Sequence, residues 1–135
     1  DEEQEVLQNH TRIGAEILAG SNVPLIKMAR EIAFGHHERW DGKGYPRGLS
    51  GKSIPESARI VAIVDAFDTL THVTPEREPL AEEDVLSILQ EGVGKQFDPA
   101  LMAVFLRHLP EFRGLAERYP DRRRSNTNVL QATNA

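Results

Sequence analysis

Residues 36–46, His-His-Glu-Arg-Trp-Asp-Gly-Lys-Gly-Tyr-Pro, decide how the rest of this sequence is interpreted. Two adjacent histidines end an apolar run, and a turn rich in glycine and proline follows them at once. Neutral imidazoles are common metal ligands, and glycines let the backbone come close to whatever the histidines hold. We therefore predict that this stretch forms the rim of a metal site.

The composition restricts both the class of protein and the kind of metal site. The chain has 135 residues, of which 39% are hydrophobic, and this suits one domain with a single core. It has no cysteine, so a metal would have to be held by histidine, aspartate or glutamate. The net charge of −5 disfavours binding to nucleic acid polymers. No apolar run reaches the length of a membrane span, so no membrane insertion is expected and a cytoplasmic location is predicted.

The spacing of apolar residues predicts an all-α fold, a helical bundle of about five helices with a long loop rich in glycine and proline. Helices are predicted over 3–19, from Pro24 to the paired histidines, and over 53–72, 82–91 and 101–109. Pro110 is expected to end the last of these, with a further turn or two over 113–119. Residues 1–119 form the predicted domain, and the polar segment 120–135 is predicted to be a disordered tail.

Three histidines are candidate ligands, and each also has a purely structural explanation. His10 lies on the apolar face of the first helix, beside Val6, Ile13 and Ile17, where a core histidine with one hydrogen bond explains it better when it is considered alone. Gly14, one turn further on, is expected to clear space beside the His10 ring. Metal binding and a position at a helix end explain His36 and His37 about equally well. Neighbours on a helix lie about 100° apart, so this pair would face two ions or two sides of one cavity.

Two aspartates lie in the middle of an otherwise apolar helix, where a buried carboxylate needs a partner or a metal. Asp65 has apolar neighbours on both sides, and we favour it as a ligand. Asp68 and His72 are one turn apart, so Asp68 is expected to pair with that histidine or to support the site from outside the ligand set.

Positive charge surrounds the loop in a chain that is acidic overall. This local excess suits an anionic ligand such as a phosphate ester, although ordinary surface charge explains any one of these residues. Together with the histidines, the cations indicate metal-assisted hydrolysis of a phosphoester. The residues concerned are Arg39, Lys43, Arg47, Lys52 and Arg59.

The stretch 36–46, with the residues that follow it at 47–51 and 54–55, closely resembles the signature of the HD-GYP domain family. Further matches lie over 58–70, over 94–99 and around His10, so the resemblance covers about residues 3–107. Members of that family are all-helical, metal-dependent phosphohydrolases, typically bacterial signalling phosphodiesterases that act on cyclic di-GMP. The resemblance implies a cyclic dinucleotide substrate and two or three divalent metal ions, often iron or manganese.

The resemblance also assigns roles to particular residues. The family's metal ligands match His10, His36, His37 and Asp65. Its signature loop, associated with substrate contacts and with signalling-protein partners, matches Asp41, Gly42, Gly44, Tyr45 and Pro46, and Arg77 is a further candidate on the substrate side.

The sequence departs from the family at two places. The His-Asp pair that names the family, and whose aspartate bridges the metals, falls before the equivalent of residue 1, and no His-Asp dipeptide occurs in this chain. An arginine expected to meet the substrate phosphate is Thr74 here, while Arg77 remains. We therefore expect a fragment that holds roughly half of the usual ligand set and that is inactive, or weakly active, by itself.

Three functions remain open on this basis. The chain is part of a cyclic di-GMP phosphodiesterase completed by an upstream segment or a partner chain, or it is a non-catalytic docking or sensing module that presents the Tyr45 loop. A site for one metal ion without a phosphoester role is the third. Apolar surface left uncovered on such a fragment would also favour a homo-oligomer.

Overall fold

The computed structural model describes residues 2–72 and 78–119. Within these residues lie six α-helices: α1 (Glu2–Ile17), α2 (Pro24–Gly35), α3 (Glu56–Thr71), α4 (Glu82–Glu91), α5 (Pro99–Arg107) and α6 (Leu109–Arg118). A 3-10 helix, Gly51–Ser53, interrupts the long loop between α2 and α3. The described residues contain no β-strand, only two isolated bridges, Asp41 with Ser50 and Val93 with Phe97. The predicted all-α fold is confirmed.

The helix limits agree with the predicted ones at α4 and differ elsewhere by a few residues. The largest error concerns Pro110, which was expected to end a helix and instead lies in the first turn of α6. A proline is tolerated there because the N–H that it lacks would have no partner inside the helix. The described part of the chain therefore has a sixth helix of ten residues where only a turn or two was expected.

Residue contacts divide the chain after Val104 into two compact units. In the first unit, α1 packs against α2, α2 against α3, and α3 against α4. In the second unit, the rings of Phe105 and Phe112 contact each other with centroids 4.8 Å apart. The buried apolar side chains of the first unit are Ala15, Ile54, Ala58, Ile63, Val85, Leu89, Phe97 and Met102.

The face of α1 that carries His10 is exposed, so its prediction as a core face is wrong. Val6 is 71% exposed and Ile17 is 78% exposed. Among the residues of this helix whose burial is described, the buried ones are instead Thr11 and Ala15. An amphipathic pattern identifies an apolar stripe, but it does not identify which side of the helix a neighbour covers.

Two glycines set how closely the first three helices approach one another. A Cβ on Gly14 would lie 3.4 Å from the Cβ of Ala33, so α1 and α2 lie close together at this point. Gly14 therefore makes room for α2, not for the His10 ring as the sequence suggested. A Cβ on Gly35 would lie 3.0 Å from the Cβ of Ala58, so the last residue of α2 lies directly against α3.

Several predicted features lie outside the described residues. These are Thr74 and Arg77 of the segment 73–77 and the predicted tail over 120–135. None of the helices in the described part of the chain combines the length and the hydrophobicity that crossing a membrane requires.

Candidate metal centre

Three histidine rings meet where α1 passes the end of α2. His10, His36 and His37 each offer a ring nitrogen, and these nitrogens lie within 4.8 Å of one another. The ring centroids of His36 and His37 are 4.1 Å apart, and that of His10 is 5.6 and 4.9 Å from them. No further group of three potential ligands this close together occurs in the described ranges. Side chains distant in sequence are thus gathered at one point.

The way in which α2 ends explains how two neighbouring histidines reach the same place. The helix ends at Gly35, and His36 caps it with its N–H donating to the carbonyl of Ile32. His37 lies beyond the helix. The separation of about 100° between helical neighbours therefore no longer applies to the pair.

Hydrogen bonds leave one nitrogen of His36 available to a metal. Its Nδ1 lies 2.9 Å from the carbonyl oxygen of Ile32 and 3.1 Å from that of Ala33. Carbonyl oxygens only accept, so Nδ1 carries the hydrogen and Nε2 keeps its lone pair. A backbone carbonyl that holds the other ring nitrogen is the usual support for a metal-binding histidine.

His37 is held between the cluster and the glycine-rich loop. The Tyr45 ring stacks on it, with centroids 4.9 Å apart and an angle of 16° between the planes. Burial lowers the pKa of His37, His36 and His10 lower it further, and Asp65 acts in the opposite direction. The neutral imidazole that results is the form that binds metals. Burial also raises the pKa of the Tyr45 hydroxyl.

The buried carboxylate of Glu38 folds the loop back onto the end of α2. Glu38 is only 3% exposed. Its two oxygens accept hydrogen bonds from the backbone N–H groups of Arg47, at 2.7 Å, and of Leu49, at 2.9 Å. The Tyr45 N–H donates to the carbonyl of His37 at 3.2 Å. The residue that follows the paired histidines thus sets the loop conformation.

Two glycines of the loop are each required by the backbone geometry, but for different reasons. A Cβ on Gly44 would lie 2.5 Å from the carbonyl oxygen of His37 and from the amide nitrogen of Arg39, so only glycine fits there. Gly42 has a φ of +78°, which side chains rarely permit. The peptide bond between Tyr45 and Pro46 is cis.

Both aspartates of α3 are exposed. The burial expected of Asp65 is therefore wrong, whereas the pairing expected of Asp68 with His72 is present. Asp65 does not belong to the group of three histidines, although it interacts electrostatically with His37. Asp68 Oδ1 lies 3.2 Å from Nδ1 of His72, the residue that caps the end of α3.

Two of the five predicted loop cations are engaged with carboxylates. Arg39 contacts both oxygens of Asp41, at 3.1 and 3.0 Å. This hydrogen bonding lowers the pKa of Asp41 to about 2. Arg59, whose side chain is 12% exposed, pairs with the buried Asp98 at 2.5 Å. Neither guanidinium is free to meet an anion in the way that the sequence suggested.

Sequence reasoning missed Glu38 and Asp98, which hold the surroundings of the site. Asp98 accepts hydrogen bonds from the N–H groups of Ala100 and Leu101 and so caps α5. The Asp-Pro pair at 98–99 was a usable signal, because aspartate favours the N-cap and proline the first helical position. The signal for Glu38 was a single carboxylate beside a loop whose backbone donors needed acceptors.

The donor set fits a divalent transition-metal ion. Imidazole nitrogens suit iron and zinc, and added carboxylate oxygens suit manganese. Three histidines alone leave room for further ligands, which this chain would supply from Asp65 or which would come from outside the described residues.

The chain is similar to a known domain family and to several named phosphodiesterases. The family model described as "HD domain" matches residues 1–101. A probable cyclic di-GMP phosphodiesterase of Vibrio cholerae serotype O1 is 40% identical over 121 residues, which is 85% of this chain and 27% of that protein. A cyclic di-GMP phosphodiesterase of Thermotoga maritima is 40% identical over 120 residues, 89% of this chain and 33% of its own length. A 3'3'-cGAMP-specific phosphodiesterase of Vibrio cholerae is 40% identical over 120 residues, 89% of this chain and 23% of its own length. The chain thus spans between a quarter and a third of the first two relatives.

Proposed function

This chain belongs to the HD domain family, and from that premise we propose that it supplies the histidine part of a divalent metal centre in a cyclic-dinucleotide phosphodiesterase. The meeting of His10, His36 and His37 within 4.8 Å carries the proposal. The identity of 40% to proteins named as cyclic di-GMP and cGAMP phosphodiesterases supports the substrate class.

The residues around the cluster have distinct tasks in this proposal. A divalent ion bound there supplies Lewis-acid activation of the phosphodiester. The Nδ1–H of His36, fixed on the carbonyl of Ile32, orients the ring and leaves Nε2 as the atom that would bind the ion. The Tyr45 ring covers one side of His37 and keeps water from that face. Glu38 holds the loop that carries Tyr45.

We propose Asp65 as the next ligand, because its charge already acts on His37. Iron or manganese is the proposed metal, in a centre of two or three ions, and a carboxylate beyond the three histidines would be needed to complete it. Asp68 has a supporting place outside the ligand set, where it holds His72.

The loop is the proposed substrate side of the centre. Its backbone at Gly42 and Gly44 and the neighbouring Tyr45 and Pro46 would face a cyclic dinucleotide. The Asp41 carboxylate holds Arg39 and so shapes the loop instead of meeting a phosphate itself. Arg77 remains a proposed phosphate contact.

A docking or sensing module that presents the Tyr45 loop is the alternative. The stacking of Tyr45 on His37 argues against it, since the ring is turned towards the histidines. The cytoplasmic location, the homo-oligomer and the signalling-protein partner stay predictions.

The test is an assay of the complete gene product with cyclic di-GMP in the presence of Mn²⁺ or Fe²⁺. Hydrolysis is expected, and His36→Ala should abolish it, whereas His108→Ala, at an exposed histidine on α6's N-terminal side, should not. The 135-residue chain alone is expected to show little or no turnover. Full activity in His36→Ala would refute the proposal. Metal binding without any turnover of cyclic di-GMP or 3'3'-cGAMP would favour the docking module.

A further inference from the structure

A cavity lies on the side of α1 that faces away from His10. It has a volume of about 820 Å³ and opens between α1, α2 and the long loop. From α1 it is lined by Arg12, Ala15 and Glu16, which lie roughly half a turn around the helix from His10. None of the three clustered histidines lines it. The cavity is therefore separate from the candidate metal centre.

Positive charge is concentrated in this cavity. Four cations line it, against the two carboxylates of Glu16 and Glu31, in a chain whose net charge is −5. Arg12 lies 3.7 Å from Glu16 in an exposed pair, and such pairs are weak and easily exchanged. The other cations have no carboxylate within 4.0 Å among the residues that the structure describes; they are Lys27, Arg30 and Arg47.

Much of the remaining lining is apolar, beside the polar Ser21 and Asn22. Ala15, Phe34, Leu49 and Pro55 contribute apolar surface, and Phe34 offers an aromatic ring. A concave site of several hundred Å³ with an apolar surface and a few polar groups suits a small organic ligand. Arginine side chains bind phosphate through paired hydrogen bonds and also stack on aromatic rings. The lining thus complements a ligand that has both a phosphate and a ring.

We propose that this cavity binds a small phosphate ester carrying an aromatic ring, of the mononucleotide class. The proposal does not depend on the phosphodiesterase function, because no histidine of the metal centre takes part. The phosphate meets Lys27, Arg30 and Arg47, and the ring lies on Phe34 and Leu49.

The cavity is connected to the metal centre through the loop. Arg47 and Leu49 line the cavity, and their backbone N–H groups are the two that Glu38 binds. Glu38 in turn follows His37 directly. A ligand that contacts Arg47 therefore acts on the loop whose Tyr45 ring covers His37. The cavity is thus placed where a bound ligand would influence the metal centre, as an effector does.

Calorimetric titration of the metal-free full chain with adenosine 5′-monophosphate tests the proposal. Saturable binding is expected, with adenosine and inorganic phosphate each binding at least about tenfold more weakly. The double variant Lys27→Gln/Arg30→Gln should weaken binding by roughly tenfold or more, because charge-assisted hydrogen bonds are lost. The variant Lys95→Gln/Arg107→Gln makes the same change of charge at exposed positions outside this cavity and should leave the affinity within about twofold.

Three results would overturn the proposal. The first is that the wild type shows no detectable binding at millimolar nucleotide, and that variants with the same thermal unfolding as the wild type show none either. Another is an equal loss of affinity in both double variants, which would indicate non-specific attraction. The third is loss of binding in His36→Ala/His37→Ala, which would place the nucleotide at the metal centre and would leave the proposed function untouched.

Discussion

The carboxylate of Glu38 accepts a hydrogen bond of 2.7 Å from the backbone N–H of Arg47, nine residues further along the chain. Its second oxygen accepts another from the N–H of Leu49. Glu38 is buried and directly follows His37, so the fold of the glycine-rich loop and the position of the paired histidines are coupled through one side chain.

Glu38→Gln is expected to lower the free energy of unfolding by about 1–3 kcal/mol. A glutamine has a single carbonyl oxygen, so one of the two N–H groups loses its acceptor and faces an NH₂ group instead. Urea denaturation followed by the fluorescence of Trp40, the only tryptophan, measures the loss. The same change at the exposed Glu83 should cost less than about 0.5 kcal/mol. Equal effects at the two positions would show that Glu38 has no special role.

Gly44→Ala is expected to displace the loop, because the added Cβ would lie 2.5 Å from backbone atoms of His37 and Arg39. We expect a loss of stability of about 1–3 kcal/mol and a changed Trp40 emission spectrum. Gly114→Ala adds the same methyl group in α6, where nothing lies within 4 Å, and should not destabilise the protein. An unchanged emission spectrum in Gly44→Ala would contradict the observed approach of the two segments.

Asp98→Ala is expected to destabilise the protein by about 3–5 kcal/mol, because it leaves the largely buried guanidinium of Arg59 without its carboxylate partner, with only the Ile54 carbonyl still accepting from it. It also removes the cap of α5. Glu16→Ala breaks the exposed pair with Arg12 and should cost about 1 kcal/mol or less. Chemical denaturation measures both, and a small effect of Asp98→Ala would show that the buried pair contributes little.

The same pair predicts how stability depends on pH. Burial raises the pKa of Asp98, but hydrogen bonds from Arg59, Leu101 and Ala100 outweigh it, and the net pKa lies below the ordinary value of 3.8. The folded state therefore binds the proton less readily than the unfolded state does. The contribution of Asp98 to stability is present above pH 3.8 and is lost as the pH falls through the folded pKa. Chemical denaturation at pH 6 and at pH 3 measures the effect. Between these two values the free energy of unfolding should fall less in Asp98→Ala than in the wild type, and equal decreases would contradict this.

The sequence predicted the helical class and the limits of α4, because apolar spacing is a local property. The three histidines were named together only through the resemblance to a family, since His10 taken alone was better explained as a core residue. Sequence reasoning failed where the burial or pairing of a residue depends on a partner that is distant in the sequence. The apolar stripe of α1 around Ile13 was taken as core, yet the buried side chains are Thr11 and Ala15, and α2 approaches at Gly14. Asp65 was expected to be buried because its sequence neighbours are apolar, and it is exposed. The pairing of Arg59 with Asp98 joins residues 39 positions apart, which no local pattern indicates.

His10, His36 and His37 are expected to bind one divalent metal centre, and equilibrium metal binding by the full chain measures this. Calorimetric titration with Mn²⁺ should show that alanine at each of the three histidines removes most of the binding. Asp65→Ala should also reduce it sharply, and Asp68→Ala less. His108→Ala, with circular dichroism as a check of folding, should bind as the wild type does. Equal Mn²⁺ binding by the wild type and all three cluster variants would contradict the account.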